Sequence, residues 1–198
     1  METYKKNYRL TFLESILGTA SGDPCIHEEF IASKAPDAPS REEEVEAIGV
    51  DGVVEKSKTF FSRNEDGEPI MWDYQVRGFF KAACGALRQV KGTKSEKIKA
   101  YKKKVDQLVF VNPRKIKVNF DGEIGSCQRP LRGQTAQGEK IALANSEEIP
   151  AGAYIDIEVE CLNESDLTTV EEWLEYGRFN GLGQWRNSGH GKFSWEEI

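Results

Sequence analysis

From Tyr4 to Glu14 apolar and polar side chains alternate, with Tyr8, Leu10 and Phe12 on one face and Lys5, Arg9 and Thr11 on the other. A period of two predicts a half-buried first strand of the core sheet. The pattern changes to spacings of three and four after Pro69. There Phe79, Phe80, Ala83, Cys84 and Leu87 trace one face of a helix that opens at Tyr74-Gln75-Val76-Arg77-Gly78. Two strands follow, Leu108 to Val111 and Lys115 to Phe120, around Asn112-Pro113. Ile141 to Ala144 reads as a short strand, and Ala153 to Leu162 as a longer one, central or paired with the first. Ser165-Asp166 predicts an N-cap, after which Leu167, Val170, Trp173, Leu174 and Phe179 share a helical face that Gly177 breaks. Lys192 to Trp195 closes the chain as a last strand.

Between these elements lie the less regular stretches. LGTASGDP is turn-rich, Glu28 to Lys34 reads as a short helix stopped by APDAP, and Arg41 to Ala47 as an acidic helical turn. Lys58 to Arg63 is expected to form a hairpin arm, with Asn64-Glu65-Asp66-Gly67 as its turn. Gly92 to Lys104 reads as an exposed, lysine-rich helical segment. The order of elements predicts an α+β fold: an antiparallel sheet with helices on one face and inserted loops, compatible with a ferredoxin-like or RRM-like core. The whole chain of 198 residues is expected to be one domain, with an insertion around 37–73.

Charge changes this picture more than composition does. Residues 77–140 carry 16 Lys and Arg against 5 Asp and Glu, whereas 1–76 carry 8 against 16 and 141–198 carry 3 against 12. A basic middle between acidic flanks is a patch that can hold a polyanion although the formal net charge is −6. The N-terminus alternates instead of running apolar, so neither a signal peptide nor a membrane span is expected, and a cytoplasmic protein is. Cys25, Cys84, Cys127 and Cys161 never form a CxxC pair, which predicts reduced thiols and no zinc site. No cofactor or other metal is expected.

The C-terminal stretch LEYGRFNGLGQWRNSGHGKFSW concentrates the candidate chemistry. Gly177, Gly181, Gly183, Gly189 and Gly191 interleave with Arg178, Arg186, His190 and Lys192. Glycine is the residue that folding penalises most in entropy, so five in one connection imply positive φ or a close approach to the backbone. Cations between them favour phosphate. A tight helix-to-strand connection with solvated cations explains the same residues. Arg77, Gly78, Lys81 and Arg88 on the first helix could offer a phosphate free N–H groups and charge. Arg129 and Arg132 flank Pro130-Leu131, whose extended geometry is expected to hold both guanidiniums away from the chain.

Two of these segments resemble the RAMP superfamily, RNA-binding subunits of CRISPR effector complexes. In GEPIMWDYQVRGFFKAACGALR, Tyr74-Gln75-Val76-Arg77-Gly78 stands where that family has Ser-Ser-Leu-Lys-Gly, with Arg88 near the family's Arg and the serines absent. In GLGQWRNSGHGKF, Gly189-His190-Gly191-Lys192 resembles the end of the family's glycine-rich loop, with Lys in place of Arg. The resemblance implies a backbone-subunit-type protein, or a phage- or prophage-borne relative of one, in a bacterial or phage-infected cell. It implies binding of single-stranded RNA, or DNA, through backbone contacts across the sheet face and loops. It also implies side-by-side assembly as a homo-oligomer or within a CRISPR-type complex, with no membrane. Two alternatives stay open. One is a decoy acting by protein contacts. The other is an endoribonuclease, for which Asp51, His27 and His190 are the candidates, although a lone Asp in a turn is ordinarily structural.

Overall fold

The computed structural model describes residues 2–21, 58–135 and 138–198. His27, Asp51, the helix expected at Glu28 to Lys34, the acidic turn at Arg41 to Ala47 and residues 37–57 of the expected insertion lie outside them. In chain order the described strands begin with β1 (Tyr4–Phe12), β2 (Ile16–Leu17), β3 (Ala20–Ser21), β4 (Thr59–Phe60), β5 (Ser62–Arg63) and β6 (Pro69–Trp72). Helix α1 (Asp73–Leu87) follows, then a 3-10 turn at Lys94–Lys97, helix α2 (Tyr101–Leu108), β7 (Val109–Asn112) and β8 (Lys115–Lys117). The long strands β9 (Gly125–Thr135) and β10 (Gly138–Ile149) precede β11 (Tyr154–Cys161), α3 (Glu164–Glu175), 3-10 turns at Tyr176–Arg178 and Arg186–Ser188, and β12 (Phe193–Glu197).

One sheet organises the rest. Its strand order is β12-β1-β11-β7 and every pairing is antiparallel. With the accessory strands set aside, the chain runs β1-α1-β7-β11-α3-β12, two split β-α-β units interleaved in one sheet, which is the ferredoxin-like arrangement. Burial alternates along β1 and β11, so Tyr8, Leu10, Phe12, Ile155, Ile157, Val159 and Cys161 all face the helices. Against them pack Val76, Phe79, Phe80 and Ala83 of α1 and Leu167, Val170, Trp173 and Leu174 of α3. The expected strand and helix periodicities are therefore the two sides of one core.

The structure corrects four local expectations. The strand expected at Ile141 to Ala144 is the middle of β10, which pairs with β9 from Gly138 opposite Thr135 to Glu148 opposite Gly125. Its polar residues hid its length, because hairpin pairing needs no apolar face along every rung. The lysine-rich stretch is broken: Gly92 and Ala100 both have positive φ, and Ser95, fully buried, anchors the turn between them. Helix α3 begins after Asn163, two residues earlier than a cap at Ser165 would have it. Asp166 is instead buried and paired with Lys104 at 2.6 Å. Phe179 lies beyond the helix and is 67% exposed instead of joining the core face. The hairpin turn at Asn64 to Gly67 forms as expected, with Gly67 N–H donating to the Asn64 carbonyl at 3.1 Å.

Two of the three described thiols belong to the core. Cys84 and Cys161 are buried, and burial pushes the Cys161 thiol up to about 12, so it stays protonated at neutral pH.

Candidate nucleic-acid interface

The glycine loop leaves α3, doubles back on itself and delivers the chain to β12. Its two limbs touch backbone to backbone. A Cβ on Gly181 would lie 2.0 Å from the carbonyl carbon of Gly191, and one on Gly191 would lie 1.9 Å from the Leu182 carbonyl oxygen, at a φ of +71° that already favours glycine. The contact is closed by Leu182 N–H to the Gly191 carbonyl at 2.9 Å and by Gly191 N–H to the Ser15 carbonyl at 2.9 Å. These two glycines are thus required by chain crossing, and a ligand need not approach them. Gly183 and Gly189, both at positive φ, stand before and after the turn that the crossing holds out, residues 184–188.

Side chains clamp that turn from below. Trp185 has a left-handed backbone, φ 55° and ψ 34°, which costs a non-glycine residue roughly 1–2 kcal/mol. It stacks on His190 with centroids 5.0 Å apart and an interplanar angle of 16°, and the Arg129 guanidinium lies 5.2 Å from its ring. Arg129, 5% exposed, donates to Ser146 Oγ at 2.9 Å and to Gln184 Oε1 at 2.7 Å, and its Nε has no partner. His190 Nδ1 lies 3.0 Å from Ser15 Oγ, which donates to Glu148 Oε1 at 2.6 Å. With the Ser15 proton directed at Glu148, Nδ1 is the nitrogen that donates to Ser15. His190 is thereby a strut of the loop.

Above the clamp the turn borders a cavity of about 310 Å³ lined by Tyr176, Phe179, Asn180, Arg186, Asn187, Gly189 and Lys192. Among the described residues neither Arg186 nor Lys192 has a carboxylate partner. Tyr176 and Phe179 lie 6.2 Å apart at 43°, and Arg178, paired with Glu175, sits 5.8 Å from the Phe179 ring. An exposed ring, two uncommitted cations and two carboxamides offer stacking, charge and hydrogen bonds within one concavity.

The other predicted residues are placed differently. Asp73 occupies the first turn of α1 and accepts from Arg77 at 2.9 Å, while the Trp72 and Asp73 N–H groups donate to Gln75 Oε1 and the Arg114 carbonyl. The start of that helix therefore presents an anion beside Arg77, and the Trp72 and Asp73 N–H groups are taken. Gly78 is exposed on α1, Lys81 pairs with Asp106, and Arg88 lies 5.2 Å over the Tyr101 ring. Arg129 points inward, contrary to the expectation that Pro130 would hold it away from the chain, because Trp185 and Gln184 supply its stack and its acceptor. Arg132 is on β9 opposite Ile141. Of the cations named from the sequence, Arg186 and Lys192 share the cavity, and Arg129 holds Gln184 and Trp185 of the same turn.

Two further surfaces carry charge. Lys91, Lys97, Lys99, Lys102 and Lys103 are exposed with no carboxylate partner among the described residues, on a segment that Ser95 ties to Glu172 and Trp173 of α3. The sheet face away from the helices is acidic by contrast: Asp156, Glu158, Glu160 and Glu196 outnumber Lys5 and Arg9. Both cations are committed, Arg9 in two 2.8 Å bonds to Asp156 and Lys5 to Glu158 and Glu160. A phosphate chain across that face would meet net repulsion.

Sequence reasoning missed Phe179, Asn180, Asn187 and the role of Trp185. The signal for them was present, since all four fall between the glycines already singled out.

No family model matches the chain, and no curated protein matches it. Among solved structures it aligns over 100% of its length with a chain of a cryo-EM structure of the Type III-B Cmr-beta complex bound to cognate target RNA, with a TM-score of 0.55 and 9% identity. The chain spans 59% of that neighbour's length. At such identity the likeness is one of fold, and it agrees with the ferredoxin-like strand order.

Proposed function

We propose that this protein is a RAMP-type, sequence-tolerant binder of single-stranded nucleic acid, RNA ahead of DNA, that holds the strand by its phosphates and works within a CRISPR-type complex or as a homo-oligomer. The observation that carries the reading is the glycine-loop cavity, where Arg186 and Lys192, without a carboxylate partner among the described residues, stand beside an exposed aromatic ring. The exposed lysines of residues 91–103, without a carboxylate partner among the described residues, extend it with sequence-independent charge. The fold likeness to a chain of an RNA-bound complex supports the same direction. The acidic sheet face directs the strand to the helix side and loops.

Anisotropy of a labelled single strand, titrated with the protein at increasing salt, tests this. The logarithm of affinity should fall linearly with the logarithm of salt, by about 0.7 per phosphate engaged. RNA should bind more tightly than DNA, and either single strand more tightly than duplex. An affinity independent of salt, or no binding, sinks the proposal.

A further inference from the structure

We infer that the outer face of the β12-β1-β11-β7 sheet is the seat for a second copy of this chain, which enters it with Val90 and the lysines beside Val90. The inference rests on the homo-oligomer reading above and gives it contact surfaces, neither of which includes the glycine loop. Among the described residues the helices pack on one side of that sheet, and Asp156, Glu158, Glu160 and Glu196 face outward on the other with Lys5 and Arg9. Four carboxylates against two cations leave the face a net charge of −2. Polar side chains alone would need no cover. This face also carries Phe110, 38% exposed and opposite Glu160, and Ile198, 54% exposed. Ile198 and Pro113 border a cavity of about 520 Å³ whose rim includes Asn112, Asp156 and Glu158. An apolar hollow edged with carboxylates asks for an apolar tip with cations around it.

The turn after α1 has that form. Val90 is 50% exposed, and residues 90–97 carry three lysines against Glu96, a net charge of +2. Lys91 and Lys97 are exposed with no carboxylate partner among the described residues. The turn is held before any partner arrives. Thr93 Oγ1 lies 2.8 and 3.0 Å from the Leu87 and Val90 carbonyls, Gly92 N–H donates to Glu96 Oε2 at 2.9 Å, and Ser95 Oγ donates to Glu172 at 2.7 Å. A knob ordered in advance loses little on docking. Lysine stems can lie along the apolar hollow beside Val90 while their ammonium groups reach the carboxylate rim. Lys99, Lys102 and Lys103 are not needed for this contact and remain for a strand. The knob is tied to the helix layer through Glu172 and Trp173 of α3, whereas the seat is the far side of the sheet. The contact is therefore head-to-tail, each copy keeps one free seat and one free knob, and assembly continues beyond a dimer.

Sedimentation velocity of the full chain, without nucleic acid and at low and high salt, tests this. At low salt the mass should climb with concentration past that of a dimer, and high salt should shift it back towards the monomer. Lys91→Glu combined with Lys97→Glu should weaken association at least about tenfold, and so should Glu160→Lys combined with Glu196→Lys, with both double variants folded by circular dichroism. Mixing the two double variants should restore association, because the native seat of the first meets the native knob of the second. Val90→Ser should weaken association at low salt, where the lysines are intact. A protein that stays monomeric at low salt, a mass that stops at the dimer, or a double variant that associates like wild type overturns the inference. So does a mixture that stays dissociated, or a Val90→Ser variant indistinguishable from wild type. Strand binding, measured in a separate titration, survives any of these outcomes, so the failure of this contact and the failure of the strand-binding reading are told apart.

Discussion

The glycine loop and the lysine-rich segment are both cationic and both adjoin α3, yet they are held by different means. The loop is fixed by backbone packed on backbone, at Gly181 against Gly191, where no side chain can give way. The lysine segment is tied down largely through one carboxylate. Glu172 accepts from the Lys94 N–H at 2.6 Å, the Ser95 N–H at 3.1 Å and Ser95 Oγ at 2.7 Å, and the Trp173 indole donates to the same hydroxyl at 2.9 Å. Equal charge can thus serve two purposes: a rigid ledge can select geometry, whereas tethered lysines on flexible stems supply attraction.

The sharpest way to break that contrast is to add one methyl group to each region. In Gly191→Ala the new Cβ meets the Leu182 carbonyl at 1.9 Å in a left-handed backbone, and the expected loss is about 3 kcal/mol or more. Gly92 also has positive φ, +85°, but nothing lies within 4 Å of its Cβ position, so Gly92→Ala should cost only the conformational penalty of about 1–2 kcal/mol. Thermal unfolding of the two variants measures the difference. Equal shifts in Tm would mean that the loop is no better fixed than the lysine segment.

The tether is the next point of attack. Glu172→Ala leaves Ser95 buried beside the Trp173 indole with its acceptor gone, a cost of about 1–3 kcal/mol. Hydrogen exchange should then rise across residues 93–98 and stay unchanged across 181–191, and Glu172→Gln should recover part of the protection. Exchange that rises equally in both regions would show them to be one cooperative unit.

How far the sequence went follows the same division. The core was legible because β1, β11, α1 and α3 bury long alternating or helical faces, so that Tyr8, Leu10, Phe79 and Trp173 announce themselves by spacing. The length of β9 and β10 was not, because their pairing is local and carries no sustained apolar face. The five glycines were visible, but their reason was not. At Gly181 and Gly191 it is contact between residues ten apart in sequence, which only the closed loop reveals. Arg77 and Arg129 misled for a related cause: a cation in sequence is free only if no distant or neighbouring group claims it, and Asp73 and the Ser146, Gln184 and Trp185 trio do so here.

The smallest expected effect is the most discriminating, because it separates charge from shape. Lys99→Ala, Lys102→Ala and Lys103→Ala should each weaken single-strand binding modestly and lower the salt slope by about 0.7 where a phosphate contact is lost. Arg186→Ala should lower the slope by a similar amount, so slope alone cannot tell the two regions apart. Affinity at high salt can. Released counterions no longer favour binding there, so a lysine variant that contributes only long-range charge converges on wild type. Arg186 also lines the walls that position a ligand, and its loss persists after the electrostatic term has been screened. Binding curves for the four variants at low and high salt therefore decide whether the rigid ledge adds recognition to attraction. If the Arg186→Ala deficit disappears with salt as the lysine deficits do, the ledge is only another place where charge is kept.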